Sequence, residues 1–149
     1  MATQYSVSTQ SVALVAATAK TCIELPSSST AGITIIGLEV SFSAAAAGSC
    51  VVEWGTFATT GTGTTVTPLK YGTGQGVAAN VGTVKIADTV EVTTFAAATL
   101  PSWVIPLPGM YSILFPAGRE FFQPASINRC LRLTSTLACN TRINLFFEQ

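Results

Sequence analysis

Apolar and polar positions alternate with a period of two in short runs from end to end of the chain, the pattern of half-buried strands, and no segment sustains the 3.6-residue period of a helix. The first runs are Gln4 to Thr9, Val12 to Ala17 and Thr21 to Leu25, the last closed by Pro26 and the loop Ser27-Ser28-Ser29, whose hydroxyls compete for backbone hydrogen bonds. A long strand follows over Ile33 to Phe42. Within it Ile33 and Ile35 fall on one parity and Leu38, Val40 and Phe42 on the other, so a bulge or bend at Gly37 is needed to bring both sets into one core. Cys50 to Phe57 is the next strand, and Thr60-Gly61-Thr62-Gly63-Thr64 reads as a loop tip. Val66 to Lys70 reads as a short strand placed at a sheet edge by Pro68, which has no N–H to donate to a ladder. Val77 to Phe95 predicts two short strands with Thr83, Lys85 and Thr93 facing water. Trp103 to Leu107 and Tyr111 to Phe115 are joined by the turn signal Pro108-Gly109.

The end of the chain permits a register argument. If Ile127 to Leu133 and Leu137 to Phe147 form a hairpin around Thr134-Ser135-Thr136, Leu133 faces Leu137, Leu131 faces Cys139 and Ile127 faces Ile143, giving one apolar face. A slip of one residue would set Leu131 and Leu133 beside Asn140 and Arg142 and exchange core for solvent. The same register leaves Arg129 on the apolar side, where it must reach a rim or a carboxylate, and puts Cys130 and Cys139 on opposite faces, so that they are not bonded to each other. About ten short strands at this spacing predict an all-β, two-sheet sandwich of the jelly-roll kind, with an immunoglobulin-like sandwich as the alternative. One domain spans residues 1–149, with residues 1–10 as an extended N-terminal arm or an edge strand.

Charge changes the picture more than size does. Only 9% of the residues are charged, with seven Lys and Arg against seven Asp and Glu. A balance of this kind supplies no basic stripe for a phosphate backbone and little repulsion between copies, which argues against a nucleic-acid partner and for a protein one. The N-terminal residues lack a basic segment, apolar core and cleavage site, so cytosolic synthesis is expected. Val12 to Ala19 is too short to span a bilayer, so no membrane partner is expected either.

Candidate chemistry is sparse. The chain has no histidine, which removes Ser-His-Asp and Cys-His nucleophiles and imidazole ligands. Cys22, Cys50, Cys130 and Cys139 contain no Cys-x-x-Cys pair and read as small buried apolar residues, so neither a metal nor a redox motif is expected. Glu24, Glu39, Glu53, Asp88, Glu91, Glu120 and Glu148 are spread one per strand or loop and read as outward-facing charges that discourage edge aggregation. An enzyme would need a pocket joining two of them. Gly72-Thr73-Gly74-Gln75-Gly76 is not followed by the Lys-Ser or Lys-Thr of a phosphate-binding loop. No catalytic residue and no cofactor is therefore assigned.

Contact-forming residues concentrate between Pro116 and Pro124. Adjacent Phe121 and Phe122 must face opposite ways on a strand, one toward the core and one toward a neighbour, and Arg119 lies close by as in many interface hot spots. With Trp103 and Tyr111 these are the candidate interface residues. The Met-Ala-Thr start, the run from Thr9 to Lys20 and the stretches Phe115-Pro116-Ala117-Gly118-Arg119-Glu120 and Arg142-Ile143-Asn144-Leu145-Phe146-Phe147-Glu148 resemble small virion proteins of tailed bacteriophages, most nearly the head decoration, or cement, proteins. That resemblance implies a non-enzymatic structural protein on the capsid exterior, a homotrimer or homodimer that clamps neighbouring major capsid proteins. A carbohydrate-binding module or lectin-like sandwich is the alternative, with Trp54, Trp103 and the three tyrosines as the available sugar platforms.

Overall fold

A computed structural model describes residues 3–28, 30–70, 81–97 and 100–149. Among them lie thirteen strands and no helix: β1 (Gln4–Ser8), β2 (Val12–Leu14), β3 (Ala19–Leu25), β4 (Ile33–Ser43), β5 (Gly48–Thr56), β6 (Thr62–Val66), β7 (Leu69–Lys70), β8 (Val84–Val90), β9 (Ser102–Leu107), β10 (Gly109–Leu114), β11 (Phe121–Gln123), β12 (Arg129–Ser135) and β13 (Cys139–Glu148). They form a β-sandwich of two antiparallel sheets. One follows the order β10-β4-β13-β1-β7, with β11 beside β4 and β2 beside β13; the other follows β6-β8-β3-β12-β5-β9. Chain neighbours change sheets repeatedly, as in β3 to β4 to β5, β9 to β10 and β12 to β13.

Alternation along the strands explains the core. Val7, Leu38, Val40, Ile143, Leu145 and Phe147 from the first sheet meet Ile23, Leu25, Val52, Trp54, Leu131 and Leu133 from the second. Each such side chain contributes about 1.5–3 kcal/mol on leaving water. The change of parity in β4 is resolved by a bulge: Phe146 lies opposite Gly37 and Phe147 opposite Ile35, so Ile36 is the extra residue. Ile33 and Ile35 before it and Leu38, Val40 and Phe42 after it are all buried. All four cysteines are free and buried, and burial pushes the thiols of Cys22 and Cys130 far up and that of Cys50 up to about 12.

Four expectations are corrected. β12 and β13 are not a hairpin: β12 pairs with β3 and β5, and β13 with β4, β1 and β2. The corner between them is held from outside, where Ser49 N–H donates to Thr136 Oγ1 (2.9 Å), Thr136 N–H to Ser49 O (2.9 Å) and Ala17 N–H to Ser135 O (2.7 Å). The apolar side of each strand is unchanged, because two strands that face each other across a core show the same parity as two that pair with matched faces. Thr62 to Val66 is a strand rather than a loop tip, since Gly61 and Gly63 let it close down on β8. The run from Val66 to Lys70 is broken at Thr67-Pro68, where the chain leaves one sheet edge, β6, for the other, β7. Val84 to Val90 is a single strand, with Thr83 and Thr93 exposed and Lys85 half-buried; residues 77–80 and the Gly72–Gly76 run lie outside the described residues. The N-terminal strand is tied in, with β13 along one side over five residues and β7 along the other over two.

Candidate functional site

Strand alternation that fills the core also fixes what the outer face of the β10-β4-β13-β1-β7 sheet presents. Across it runs the register row Leu114, Gly37, Phe146, Ser6 and Leu69. Because Gly37 has no side chain, Leu114 lies over it: a Cβ there would stand 2.7 Å from Leu114 Cδ2. Ile36, turned outward by the bulge, joins Leu114, Phe146 and Tyr5 in lining a groove of about 290 Å3 that Gln4 and Glu39 edge. Met110, Leu114 and Phe122 on the same flank are 74%, 71% and 57% exposed. The next row is polar: Asn144 Nδ2 donates to Glu39 Oε2 (3.1 Å), and Ser8 Oγ donates to Asn144 Oδ1 (2.7 Å). Beyond it Arg142, Ser41 and Met110 line a second groove. An apolar band with a hydrogen-bonded polar rim is the make-up of a protein contact surface.

The predicted interface residues divide. Phe122 is on this face, and Gly32 makes room for its ring, since a Cβ there would lie 2.6 Å from it. Arg119 is exposed in the turn before β11, where its N–H donates to Pro116 O (2.8 Å). Tyr111 points inward from β10 and is half-buried against the core, and Trp103 lies tilted on Phe115 with ring centres 6.1 Å apart. Phe121 is the inward partner of the Phe pair and belongs to the interior: its ring sits 5.7 Å from Trp54, and the Arg129 guanidinium lies 4.2 Å from its centre. That stacking is where Arg129 goes on the apolar side of β12, in place of a carboxylate. Arg129 Nε and Nη1 find no acceptor, and burial lowers its pKa.

Ile36, Leu69, Met110, Leu114 and Phe146 were not singled out from the sequence. The parity of Phe146 beside Phe147 was available, by the same reasoning applied to Phe121 and Phe122. Their joining into one band depends on β10 docking beside β4, seventy residues away in the chain, which no local pattern encodes.

Among the carboxylates, Glu53 lies on the outward side of β5 as expected, whereas two others do not face water. Glu53 pairs with Arg132 (2.7 Å), the only ion pair among the described residues, and Arg132 in turn stacks 3.4 Å from the centre of the Phe95 ring. Glu24 and Asp88 are not outward charges; they are 0% and 1% exposed and converge beneath Gly61. Both are sealed from solvent, so they offer no pocket to a substrate. Among the described residues no cluster of three or more Cys, Asp or Glu could hold a metal ion, and no helix is long and apolar enough to cross a membrane. No family model matches the chain, and no curated protein matches it.

Proposed function

We propose that this chain is a non-enzymatic virion structural protein that coats the outside of a tailed-phage capsid and cements neighbouring major capsid proteins, with the outer face around Leu114 as its contact surface. One observation carries the reading: Met110, Leu114 and Phe122 stand 74%, 71% and 57% exposed on one flank of a sandwich whose sequence is poor in charge, with Ile36 lining the groove beside Leu114. Many copies, each adding a modest apolar contact, would sum to an avidity that resists expansion by packaged DNA. Self-association as a dimer or trimer fits the zero net charge. The strand orders β10-β4-β13-β1 and β3-β12-β5-β9, with chain neighbours changing sheets, support a jelly roll as the finer topology. A sugar platform would need an open aromatic ring, whereas among the described residues Trp54 and Tyr5 are buried, Tyr111 is half-buried against the core and Trp103 packs on Phe115, so the lectin reading is not favoured.

Light scattering tests the proposal directly. The purified protein should be a small oligomer, and mixing it with shells of the encoding phage assembled without it should raise their mass to a saturable plateau. A monomer that leaves the shells unchanged would refute the assignment.

A further inference from the structure

A second feature lies at the opposite sheet, where the chain buries two acids together. Glu24 is on the side of β3 opposite the core residues Ile23 and Leu25, and Asp88 follows Ala87, whose φ of 54° kinks β8 where its register with β6 slips between Thr62 and Thr64. Gly61 and Gly63 arch over the pair. A Cβ on Gly61 would stand 2.4 Å from Asp88 Oδ2 and 3.0 Å from Glu24 Oε1, and one on Gly63 2.3 Å from Asp88 Oδ1. Gly61 is clamped from both ends: its N–H donates to Glu24 Oε1 (2.6 Å), and its carbonyl accepts from Lys85 Nζ (2.7 Å).

None of the surrounding charged groups donates to either carboxyl group. From β3, Lys20 donates its ammonium to the Asp88 backbone carbonyl, and Cys22 is neutral. Lys85 of β8 is held by Gly61, and Glu91 accepts from Thr21 N–H (2.7 Å). From β12, Cys130 is neutral and Arg132 is held by Glu53 and Phe95; β6 brings no titratable group. Glu24 Oε2 and both carboxyl oxygens of Asp88 are buried with no donor in reach. Two carboxylates cannot donate to each other, and two like charges in a dry site repel. One retained proton removes both problems at once.

We propose that Glu24 and Asp88 share a single proton, and that this proton is a latch holding residues 59–61 and β6 onto β8, released as the proton leaves. Burial, followed by the hydrogen bond and charge of Glu24, pushes Asp88 up to about 8. In an opened or unfolded chain Asp88 would ionise near its ordinary value of about 4, so the closed form binds one more proton between these limits. Closure is therefore strongest in acid, weakens as pH rises from about 4 to about 8, and is level above that. Because β6 is the outer strand of its sheet, release bares the edge of β8 for pairing with another strand.

Amide hydrogen exchange at Gly61 reads the latch. After correction for intrinsic base catalysis, its protection in the wild-type protein should fall about tenfold per pH unit between about pH 5 and 8, the slope of one linked proton. Asp88→Asn, whose amide keeps a permanent donor toward Glu24, should show protection independent of pH. Equal slopes in the two proteins, or no slope in the wild type, would overturn the proposal. Should Asp88→Asn fail to fold, the wild-type side-chain carboxyl 13C shifts decide: one of the two acids must titrate well above the ordinary carboxylate range, and two titrations near pH 4 would refute the shared proton.

Discussion

At the residue scale, two side chains show how burial has been reconciled with polarity and crowding. Arg129 is a cation on the core side of β12, stacked on Phe121 but with two guanidinium nitrogens lacking acceptors. A buried charge with incomplete partners costs more than an apolar residue of similar volume. Arg129→Met should therefore leave the urea midpoint unchanged or raise it, and a loss above about 2 kcal/mol would show that the ring contact outweighs desolvation. Gly55 makes the opposite argument, because a Cβ there would fall 2.2 Å from the Phe95 ring that Arg132 covers. Gly55→Ala should cost about 1–3 kcal/mol in the same unfolding assay, the usual penalty of overpacking. Phe121 and Phe122 were legible as one inward and one outward ring. Which was which depended on β11 docking against Ile33 and Ile35, so only the structure assigns Phe121 to Trp54 and Phe122 to the surface.

At the scale of elements, the bulge in β4 is the feature that pattern alone located to within one residue. Opposed parities on the two sides of Gly37 required an extra residue, and Ile36 is that residue. Deleting Ile36 would join Ile35 to Gly37 and leave Ile33, Ile35, Leu38, Val40 and Phe42 in unbroken alternation on the core face, with Ile35 still opposite Phe147, so the variant should keep the cooperative melt seen by circular dichroism. Deletion of Asn144, in the regular stretch of β13, would instead exchange core for solvent on one side of the cut and should abolish that melt. The C-terminal strands show the limit of the same reasoning. Parity placed Leu131, Leu133, Cys139 and Ile143 on the apolar side, where they are buried, together with half-buried Leu137 and with Ile127, which precedes β12 and is exposed, yet it could not say whether β12 and β13 pair edge to edge or face each other across the core. The corner that keeps them apart is bound by Ser49 of β5 and by Ala17 in the turn between β2 and β3. Pro108-Gly109 likewise joins strands in different sheets, and Thr62 to Val66 is a strand because Asp88 fills the space its glycines leave.

For the whole molecule, the sandwich has one face that bears exposed apolar side chains among the described residues. The sheet carrying β5 and β12 has its outer side partly covered by the segment around Phe95, which pairs Ala96 with Thr56 and lays its ring over Gly55. The sheet carrying β4 and β13 offers the apolar band instead. The low charge that suggested a protein partner was readable at once, but the position of the proposed contact surface was not, since that surface is assembled from β1, β4, β10, β11 and β13 together. The most direct measurement titrates phage shells lacking the protein with wild type and with Leu114→Asp/Phe122→Asp, two changes at exposed sites that should alter folding stability by no more than about 0.5 kcal/mol each. Saturable binding by the wild type, lost in the variant while its thermal midpoint holds, is the predicted result; equal binding by both proteins would contradict the assignment of this face as the cementing surface.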